Sequence, residues 1–505
     1  MSTIKRQAVS SLATPIPSLW DRLFVLEPKG SLTIQAQLRA QTVDAIVSGL
    51  LPGGTPLPSS RELAQTLKIA RNTVTIVYQQ LTDDGFLLAR SRSGYFVNPE
   101  LPNSSKPLTR LKKTVLNHDS LLKRCRIRPS QHRNISKVLD WQRHPYPFIY
   151  GQIDPTLFPA RAWRDCCRQV LSSRHPLDWA QDWVARDDAD LIREIRAKVL
   201  PLRGVFAEAH EIMVTIGAQQ ALFLLADLLV DPQCVVGVED PGYPDARNIF
   251  KLRTQHIKAL AIDSEGLIAN KECASCDYVY TTPSHQSPTT VTMSMERRLD
   301  LLNKAKKHDF LIIEDDYEAE KGLTGAPNPA LKSLDQDGRV IYVGSLSKSF
   351  APGLRLGYIV APTELISELR ALQRLMVRHP SAFVQKAVAR FLASGHYDAL
   401  NHKIMNAHQK RTALLTKALQ DHCPAVTFTV PSGGSSVWVQ CPTHWDTQEL
   451  AQKALLQGVI IEPGEVHFLK APRKNYFRLG FGSIPAEHIE EGIKRLAGVM
   501  AGFKA

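Results

Sequence analysis

Cysteine and long apolar runs are both scarce in this sequence. The 505 residues include eight cysteines, too few for a disulfide-stabilised scaffold. Cys273 and Cys276 form a CxxC pair, but no second ligand pair follows at a spacing that zinc would need, so no metal site is expected. The most apolar stretch, residues 213–230, contains two glutamines and Asp227, which argues against a membrane span. The sequence therefore favours a protein of a reducing compartment.

Acidic residues are sparse in the first 145 residues. Residues 1–97 hold ten Lys or Arg and six Asp or Glu, and residues 98–145 hold eleven against three. Residues 146–505 are almost neutral, with 41 basic and 40 acidic residues. A basic N-terminal region joined to a nearly neutral C-terminal region is typical of a protein whose N-terminal region binds a polyanion. Nucleic acid is the polyanion that we favour. A solvated basic linker without a partner is the alternative.

Residues 20–98, which follow an N-terminal tail of residues 1–19, alternate short helical patterns with turn signals. Ser59 or Ser60 is placed to cap a helix that runs to Leu67, and a second helix follows from residue 71. Two alternating strand patterns surround the turn at residues 91–94. This order of elements predicts a winged helix-turn-helix domain.

The start of the second helix suits the major groove of duplex DNA. Arg can bridge the O6 and N7 atoms of guanine, and Asn can bridge the N6 and N7 atoms of adenine. The residues predicted to face the bases are Arg71, Asn72, Thr73 and Thr75. The residues predicted to contact phosphates or the minor groove are Ser59, Arg61, Tyr78, Arg90, Arg92 and Gly94.

The same segments resemble the GntR family of bacterial regulators. The resemblance rests on Leu57-Pro-Ser-Ser-Arg-Glu-Leu-Ala64, Ala70-Arg-Asn-Thr-Val74, Tyr78-Gln-Gln-Leu81 and Ser93-Gly-Tyr-Phe-Val97. It covers nearly all of residues 32–97. It implies that this domain binds promoter or operator DNA as part of a transcriptional regulator.

A basic linker, residues 99–145, separates this domain from a long region that we predict to be α/β. Within the linker, residues 108–116 fit a short basic helix that could add phosphate contacts. Residues 146–505 alternate short β-rich runs with amphipathic stretches, which predicts a mostly parallel sheet covered by helices and a smaller C-terminal domain. The predicted strands are residues 212–215, 234–238, 278–280, 310–313 and 340–343.

A lysine that directly follows a predicted buried strand is the main candidate for a reactive residue in this region. Burying an ammonium group is costly, so Lys348 needs a chemical reason for its position. A Schiff base between Lys348 and the aldehyde of pyridoxal 5′-phosphate (PLP) would provide that reason. Ser345, Ser347 and Arg355 would then surround the phosphate, with a forked contact from the guanidinium.

Further motifs supply the other groups that PLP needs. Asp315, which follows another predicted strand, suits the ring nitrogen, and the Tyr317 hydroxyl can meet the O3′ atom. A strand-to-helix turn favours an anion through its backbone N–H groups, and it consists of Gly217, Ala218 and Gln219. Tyr243 could lie over the pyridine face, although simple packing is the ordinary role of a single tyrosine.

These segments look like fold-type-I aminotransferases, and the whole chain resembles the MocR (GabR-like) subfamily of GntR regulators. The resemblance spans residues 20–98 and about 146–490. It implies that an aminotransferase-like domain binds PLP through Lys348 and senses a metabolite. It also implies that Arg478, in Asn475-Tyr-Phe-Arg478-Leu-Gly480, holds the α-carboxylate of an amino-acid effector; an ordinary ion pair is the alternative. A homodimer that reads repeated half-sites is implied as well.

The aminotransferase-like region departs from the family pattern in two places, and the wing has Tyr95 where a small residue often follows the glycine. Ser287 replaces an aromatic residue and Thr290 replaces a glycine in the run His285-Gln-Ser-Pro-Thr-Thr290. The loop at residues 186–191 lacks the glycine that is usual before Leu191. We therefore expect different contacts near the O3′ atom and at the ligand entrance, and the identity of the effector cannot be taken from a relative.

Two functional classes stay open on the sequence alone. The first is a PLP-dependent transcriptional regulator that senses PLP or an amino compound through the Lys348 Schiff base. The second is an active aminotransferase with a DNA-binding appendage. The complete DNA-reading pattern favours the regulator, with a transaminase half-reaction still open. A repressor with a decayed enzyme domain is disfavoured because the PLP residues are present. The expected location is the cytoplasm, at the nucleoid when DNA is bound.

Overall fold

The computed structural model describes residues 20, 23–27, 32–101, 122–172, 177–318, 329–348 and 350–503. The chain forms two compact units, residues 1–126 and residues 127–505. The predicted N-terminal tail and the predicted helix at residues 108–116 lie outside the described residues. The second unit includes residues 127–145, which the sequence analysis assigned to the linker.

The described part of the first unit contains three helices and a hairpin. They are α1 (Ile34–Val47), α2 (Ser60–Leu67), α3 (Arg71–Asp83), β1 (Leu87–Arg90) and β2 (Gly94–Val97). Ser59 caps α2, because its hydroxyl accepts a hydrogen bond from the Glu62 N–H at 3.2 Å. Lys68 ends the helix in the left-handed conformation, with φ at 53°. The predicted winged helix-turn-helix is confirmed.

One face of α3 fills the core of this unit. Its residues without exposed area are Val74, Val77, Tyr78 and Leu81. They pack in one cluster with Leu38 of α1, Leu63 of α2 and Leu87 of β1. Burial of apolar surface contributes about 25 cal/mol per Å², so this face fixes the rotation of α3 about its axis. As a result, the polar residues at the start of α3 stay on the surface.

An eight-stranded mixed sheet is the centre of the second unit. The strands, which follow a short β3 (Tyr146–Pro147), are β4 (Ile212–Thr215), β5 (Val236–Asp240), β6 (Ile257–Asp263), β7 (Gly266–Leu267), β8 (Tyr278–Thr281), β9 (Leu311–Asp316), β10 (Val340–Ser345) and β11 (Gly357–Val360). Their order is β4-β11-β10-β9-β8-β5-β6-β7. The strands from β10 to β6 run parallel, whereas β11 and β7 are antiparallel to their neighbours. The predicted, mainly parallel sheet is confirmed.

Helices cover this sheet, because strands that are apolar on both faces must be shielded from water. They are α4 (Ala160–Leu171), α5 (Leu177–Ala180), α6 (Ala189–Glu194), α7 (Gly217–Leu229), α8 (Pro244–Lys251), α9 (Met295–His308), α10 (Leu331–Leu334), α11 (Thr363–Val377), α12 (Ala382–Ala393) and α13 (His396–His422). Leu222 and Leu225 of α7, for example, join Ile341 and Val343 of β10 in one buried cluster. None of the described helices is both long and apolar enough for a bilayer.

A smaller α+β layer completes the second unit. Its elements are β12 (Thr427–Phe428), β13 (Ser436–Gln440), α14 (Thr447–Leu456), β14 (Val459–Ile460), β15 (Glu462–Pro463), β16 (Tyr476–Gly480) and α15 (Ala486–Ala501). The four-stranded sheet has the order β12-β13-β16-β15, and β14 pairs with β3. Phe148, just after β3, is buried in the same cluster as Leu479 and Ile493. The start of the unit is thereby held against its C-terminal layer.

Candidate functional site

A cavity of about 220 Å³ lies at the carboxyl ends of β9 and β10. Ligands of α/β sheets bind at this edge, because the loops that follow parallel strands converge there. The wall brings together many residues that the sequence analysis took from four separate motifs: Ala218, Gln219, Tyr243, Asp315, Tyr317, Ser345, Ser347, Lys348 and Arg355. Long-range folding thus gathers most of the predicted cofactor residues around one space.

The Lys348 amine lies near two aromatic rings. Its Nζ atom is 4.1 Å from the centre of the Tyr150 ring and 5.5 Å from the centre of the Tyr317 ring. The electron-rich ring faces partly offset the cost of burying a cation. A Cβ on Gly151 would come within 3.2 Å of the same nitrogen, so the missing side chain of Gly151 leaves room for the amine.

Asp315 is a buried carboxylate, and one of its two oxygens accepts no hydrogen bond from the described residues. Its Oδ2 atom accepts a hydrogen bond from the Tyr280 hydroxyl at 2.8 Å, whereas Oδ1 has no hydrogen-bond partner among the described residues. Burial raises the pKa of Asp315 to about 7, while the Tyr280 bond opposes that rise. A cationic N–H donor, such as the ring nitrogen of PLP, would satisfy Oδ1 and favour the ionised carboxylate. The residues present therefore fit that cofactor.

An anion cradle lies at the start of α7. The Arg355 Nη2 atom would be only 2.8 Å from a Cβ on Gly217, whose φ is 70°, so glycine permits the close approach of the guanidinium. The free N–H groups of a helix start also favour an anion. Ser345 lines the adjacent wall. Ser347 stabilises the loop between residues 347 and 356, because its Oγ atom accepts a hydrogen bond from the Leu356 N–H at 2.6 Å.

Two predicted tyrosines line the cavity with their hydroxyls bonded to protein groups. The Tyr317 hydroxyl donates to the His285 carbonyl oxygen at 2.8 Å. The Tyr243 hydroxyl lies 3.0 Å from the side-chain oxygens of both Gln219 and Asp245. Burial raises the pKa of both phenols well above the usual value. Both groups therefore stay protonated at neutral pH and can donate hydrogen bonds.

Arg478, the predicted effector residue, is not part of the cavity wall. Its guanidinium forms an ion pair with Glu462 and lies 3.7 Å from the centre of the Tyr150 ring. Burial alone would raise the pKa of Glu462, but the charges of Arg478 and His467 bring it to about 2. The guanidinium predicted to hold an effector carboxylate is thus already paired with a carboxylate of the protein.

Several residues of the cavity wall were not predicted from the sequence. They are Asn134, Ile135, Lys137, Tyr150, Leu222, Asp245 and Pro352, together with Ser287, which was noted only as a departure from the family. Asp245 stands two residues after Tyr243 and could have been found from that motif. Asn134 could not, because its role depends on a side-chain hydrogen bond to Asp245, far away in sequence. The C-terminal part of the predicted linker therefore belongs to this site.

The residues predicted to read DNA bases lie on the surface of the first unit. Arg71, Asn72 and Thr75 are exposed, and Thr73 is half-buried. The Arg71 Nε atom donates to the Ser60 hydroxyl at 3.4 Å, which leaves the rest of the guanidinium for another partner. The predicted phosphate-contacting residues that are also exposed are Ser59, Arg61, Arg90, Arg92 and Gly94.

The position of Tyr78 differs from the prediction that this residue contacts DNA. The side chain has no exposed area, and its hydroxyl donates to the Pro58 carbonyl oxygen at 3.0 Å. A ring in this position cannot reach a phosphate or the minor groove, so the predicted contact is wrong. Tyr78 instead ties α3 to the loop that precedes α2. Its place on the apolar face of α3, between Val77 and Leu81, was the signal for a core role.

Comparison with known proteins agrees with this arrangement. The family model for bacterial regulatory proteins of the gntR family matches residues 34–97, and that for aminotransferase class I and II matches residues 187–496. The HTH-type transcriptional regulator TauR from Rhodobacter capsulatus is 40% identical over 96% of this chain and 99% of that protein. The probable rhizopine catabolism regulatory protein MocR from Rhizobium meliloti is 28% identical over 94% of this chain and 95% of that protein.

A solved structure matches the second unit. The kynurenine aminotransferase of Pyrococcus horikoshii, solved in complex with PMP, superimposes with a TM-score of 0.66 at 29% identity and covers 78% of this chain and 96% of its own. The aminotransferase domain indicates PLP as the cofactor, and the gntR domain implies DNA binding. The chain belongs to the MocR-like subfamily of GntR transcriptional regulators, in which a DNA-binding domain is fused to an aminotransferase domain.

Proposed function

We propose that this transcriptional regulator senses an amino compound through PLP bound at Lys348. The observation that carries the proposal is the composition of the cavity. It combines a lysine amine, a buried carboxylate with an unused oxygen and a guanidinium at a helix start. These three groups match the aldehyde, the ring nitrogen and the phosphate of one cofactor, and the same chain carries an exposed DNA-reading helix.

Each group has a defined task in this proposal. Lys348 holds the aldehyde carbon covalently, and Asp315 pairs with the ring nitrogen. Arg355 and the start of α7 would bind the phosphate, and the Tyr317 hydroxyl would turn its one O–H from the His285 carbonyl oxygen to the O3′ oxygen. Tyr243, which lines the same cavity, would cover the ring. When bound, PLP supplies an electrophilic carbon that exchanges one primary amine for another and an electron sink for the ligand's α-carbon.

In this proposal, the protein would sense the ligand when the ligand's amine displaces Lys348 from the cofactor. The bound cofactor would supply a carbon at which the ligand's primary amine could take the place of the Lys348 amine, and Lys348 Nζ would take up the proton that the incoming amine loses. The Lys348 Nζ atom lies 4.1 Å from the centre of the Tyr150 ring, so the freed amine would stay beside the ligand. For transcription to respond, the ligand must bind two conformations of the protein with different affinity.

Two further features belong to the proposal. The protein would act as a homodimer, as the family resemblance implies, and its two winged domains would read repeated or palindromic half-sites. The site of action would be the cytoplasm, at the nucleoid when DNA is bound. Neither feature is needed for the chemistry of the cavity.

An aminotransferase is the second candidate, because the same cavity holds Lys348 as a base for proton transfer. The Arg478–Glu462 ion pair engages one side of the guanidinium predicted for the α-carboxylate, and the buried Nε atom has no hydrogen-bond partner among the described residues, so this site does not separate the two candidates. A half-reaction with an amino acid is compatible with both candidates. Repeated turnover with an amino acid and a 2-oxo acid is compatible only with the second.

One experiment separates the two candidates. The full-length, PLP-loaded protein first selects its operator from random-sequence DNA. Its affinity for that operator and its steady-state transamination are then measured with a panel of amino acids and simple amines. We expect one class of amine to change DNA affinity about 5- to 150-fold without repeated turnover. Rapid turnover together with unchanged DNA affinity would overturn the regulator proposal.

A further inference from the structure

Tyr280 lies on the strand next to Asp315 and on the same face of the sheet. In the parallel pair β8 and β9, Tyr280 is the register partner of Ile313, and Asp315 follows two residues later. Because side chains alternate between the two faces of a sheet, the phenol and the carboxylate point to the same side. Tyr280 is 1% exposed and Asp315 is 4% exposed. The register of the sheet therefore brings the two groups together, away from bulk water.

Among the described residues, only Tyr280 donates a hydrogen bond to the Asp315 carboxylate. Its hydroxyl donates to Oδ2 at 2.8 Å, whereas Oδ1 has no partner in the described part of the chain. The Tyr280 ring packs against the ring of Phe250, with 6.0 Å between the two ring centres, which holds the hydroxyl in place. A buried hydroxyl without an acceptor is costly, so this bond persists. Tyr280 thus fixes which carboxylate oxygen is left for a ligand.

The next residue, Asp316, has a partner that Asp315 lacks. Asp316 points to the opposite face of the sheet, where its Oδ2 accepts from the Tyr342 hydroxyl of β10 at 2.8 Å and from the Arg203 guanidinium at 2.7 Å. Each carboxylate therefore has a tyrosine from a neighbouring strand, but only Asp316 has a hydrogen-bonded cation as well. Burial alone would raise the pKa of Asp316, yet Arg203 brings it below the usual value, whereas the pKa of Asp315 is about 7. Asp315 thus has an open place for a cationic N–H donor.

The remaining charges near Asp315 act on it without a hydrogen bond. Burial has the largest effect in raising the pKa of Asp315, and the bond from Tyr280 has the largest effect in lowering it. The charges of Asp316 and Glu239 raise this pKa further, whereas the Lys348 ammonium lowers it. Tyr280 is therefore the protein group that does most to keep this carboxylate ionised.

We propose that Tyr280 is a positioning residue for PLP: its hydroxyl holds Oδ2 of Asp315, so that Oδ1 faces the ring nitrogen and that nitrogen keeps its proton. The proposal rests on the binding of PLP in this cavity, and it adds to the site a residue outside the cavity wall. Exchange of one amine for another needs the aldehyde, whereas the protonated ring is what lets PLP act as an electron sink. Tyr280 would thereby preserve the capacity for a half-reaction in a chain that serves as a regulator.

The test observes the ring nitrogen itself. The full-length protein is loaded with PLP that carries ¹⁵N in the pyridine ring, and the ¹⁵N NMR signal is recorded for wild type and for Tyr280→Phe. Protonated and neutral pyridine nitrogens give well-separated signals, so the position of the signal reports where the proton lies. The dissociation constant of PLP is measured in parallel. Tyr280→Phe keeps the ring that packs on Phe250 and removes the hydroxyl alone.

We expect wild type to show a protonated ring nitrogen. In Tyr280→Phe the signal should move toward the neutral position, and PLP should bind about 10-fold more weakly, because a hydrogen bond to a charged group is lost. Tyr342→Phe is the matched control, because it removes a hydroxyl that donates at 2.8 Å to the neighbouring carboxylate of Asp316, which lies outside the cavity wall. It should leave the signal unchanged.

Two results would overturn the inference alone. One is an unprotonated ring nitrogen in wild type, a result that requires no variant. The other is a signal that moves no further in Tyr280→Phe than in Tyr342→Phe, even if PLP binds more weakly, because a purely structural role explains a loss of affinity by itself. A wild type that binds no PLP would instead contradict the proposed function, and the inference would fall with it.

Discussion

The DNA-reading surface and the cofactor cavity are built in opposite ways. The residues of the reading surface are exposed, apart from the half-buried Thr73, and they come from one stretch, residues 59–94. The cavity gathers side chains from residues 134 to 355, and its key carboxylate, Asp315, is buried. An exposed, local site can change its binding without changing the fold. A buried site assembled over a long range couples binding to protonation and to stability, and the following substitutions test that difference.

Lys348→Ala should have the largest effect. It removes the amine that we propose to bind the cofactor covalently, so we expect complete loss of the visible absorbance of bound PLP. The first unit does not depend on this side chain, so the variant should still bind its selected operator. Absorbance spectra and a DNA-binding titration check both points. A wild-type spectrum in the variant would remove Lys348 from its role.

Arg71→Ala should affect only the reading surface. We expect specific DNA binding to weaken by about 1–3 kcal/mol, with the free energy of unfolding changed by less than about 0.5 kcal/mol, because the side chain is exposed. Arg92→Ala, on the wing, is the comparison variant and should weaken operator and random DNA equally. The same uniform loss in Arg71→Ala would show that Arg71 contacts phosphate and not bases.

Asp315→Asn should reveal the coupling of the buried site to pH. In the cofactor-free protein the pKa of Asp315 is about 7, above its ordinary value, so the folded state binds a proton that the unfolded state releases. Wild-type stability should therefore fall as pH rises from 5 to 7, by about 2 kcal/mol relative to Asp315→Asn. Urea unfolding at several pH values measures this difference. Parallel curves for the two proteins would contradict the raised pKa.

Thr290→Gly should have the smallest effect, and its sign is the informative part. Thr290 adopts φ of 65°, a left-handed conformation that is strained for a β-branched residue. Glycine relieves that strain, which we expect to outweigh the lost hydrogen bond from the Thr290 hydroxyl to the Thr289 carbonyl oxygen at 2.6 Å, so the variant should be more stable by about 0.5 kcal/mol in urea unfolding. Thr289→Gly is the neighbouring control and should lose stability, because the Thr289 hydroxyl donates to Gln286 at 2.6 Å.

Local patterns explain why much of the fold could be predicted. Strand β4 was placed at its observed bounds, Ile212–Thr215, because polar or turn residues flank a short apolar run. Strand β5 was predicted two residues too early, since Cys234 is as apolar as the residues that follow it. The helix cap at Ser59 and the turn at Lys68 could be predicted because each depends only on residues within a few positions of it.

The missed features of the site depend on contacts between distant residues. Lys137 and Tyr150 join the cavity through packing that no local motif records. The ion pair of Arg478 with Glu462 likewise joins two strands that are adjacent only in the folded sheet. Thr290 shows the opposite case: the motif resemblance already marked this position as one where the family pattern has glycine, and the positive φ of Thr290 explains that preference.

The central claim is that Lys348 is the residue that binds PLP in this DNA-binding regulator. The most direct measurement is borohydride reduction of the PLP-loaded, full-length protein, followed by peptide mapping by mass spectrometry. The account predicts one pyridoxyl group per chain, on the peptide that contains Lys348. A pyridoxyl group on Lys137 or another lysine in place of Lys348, or none at all, would contradict it.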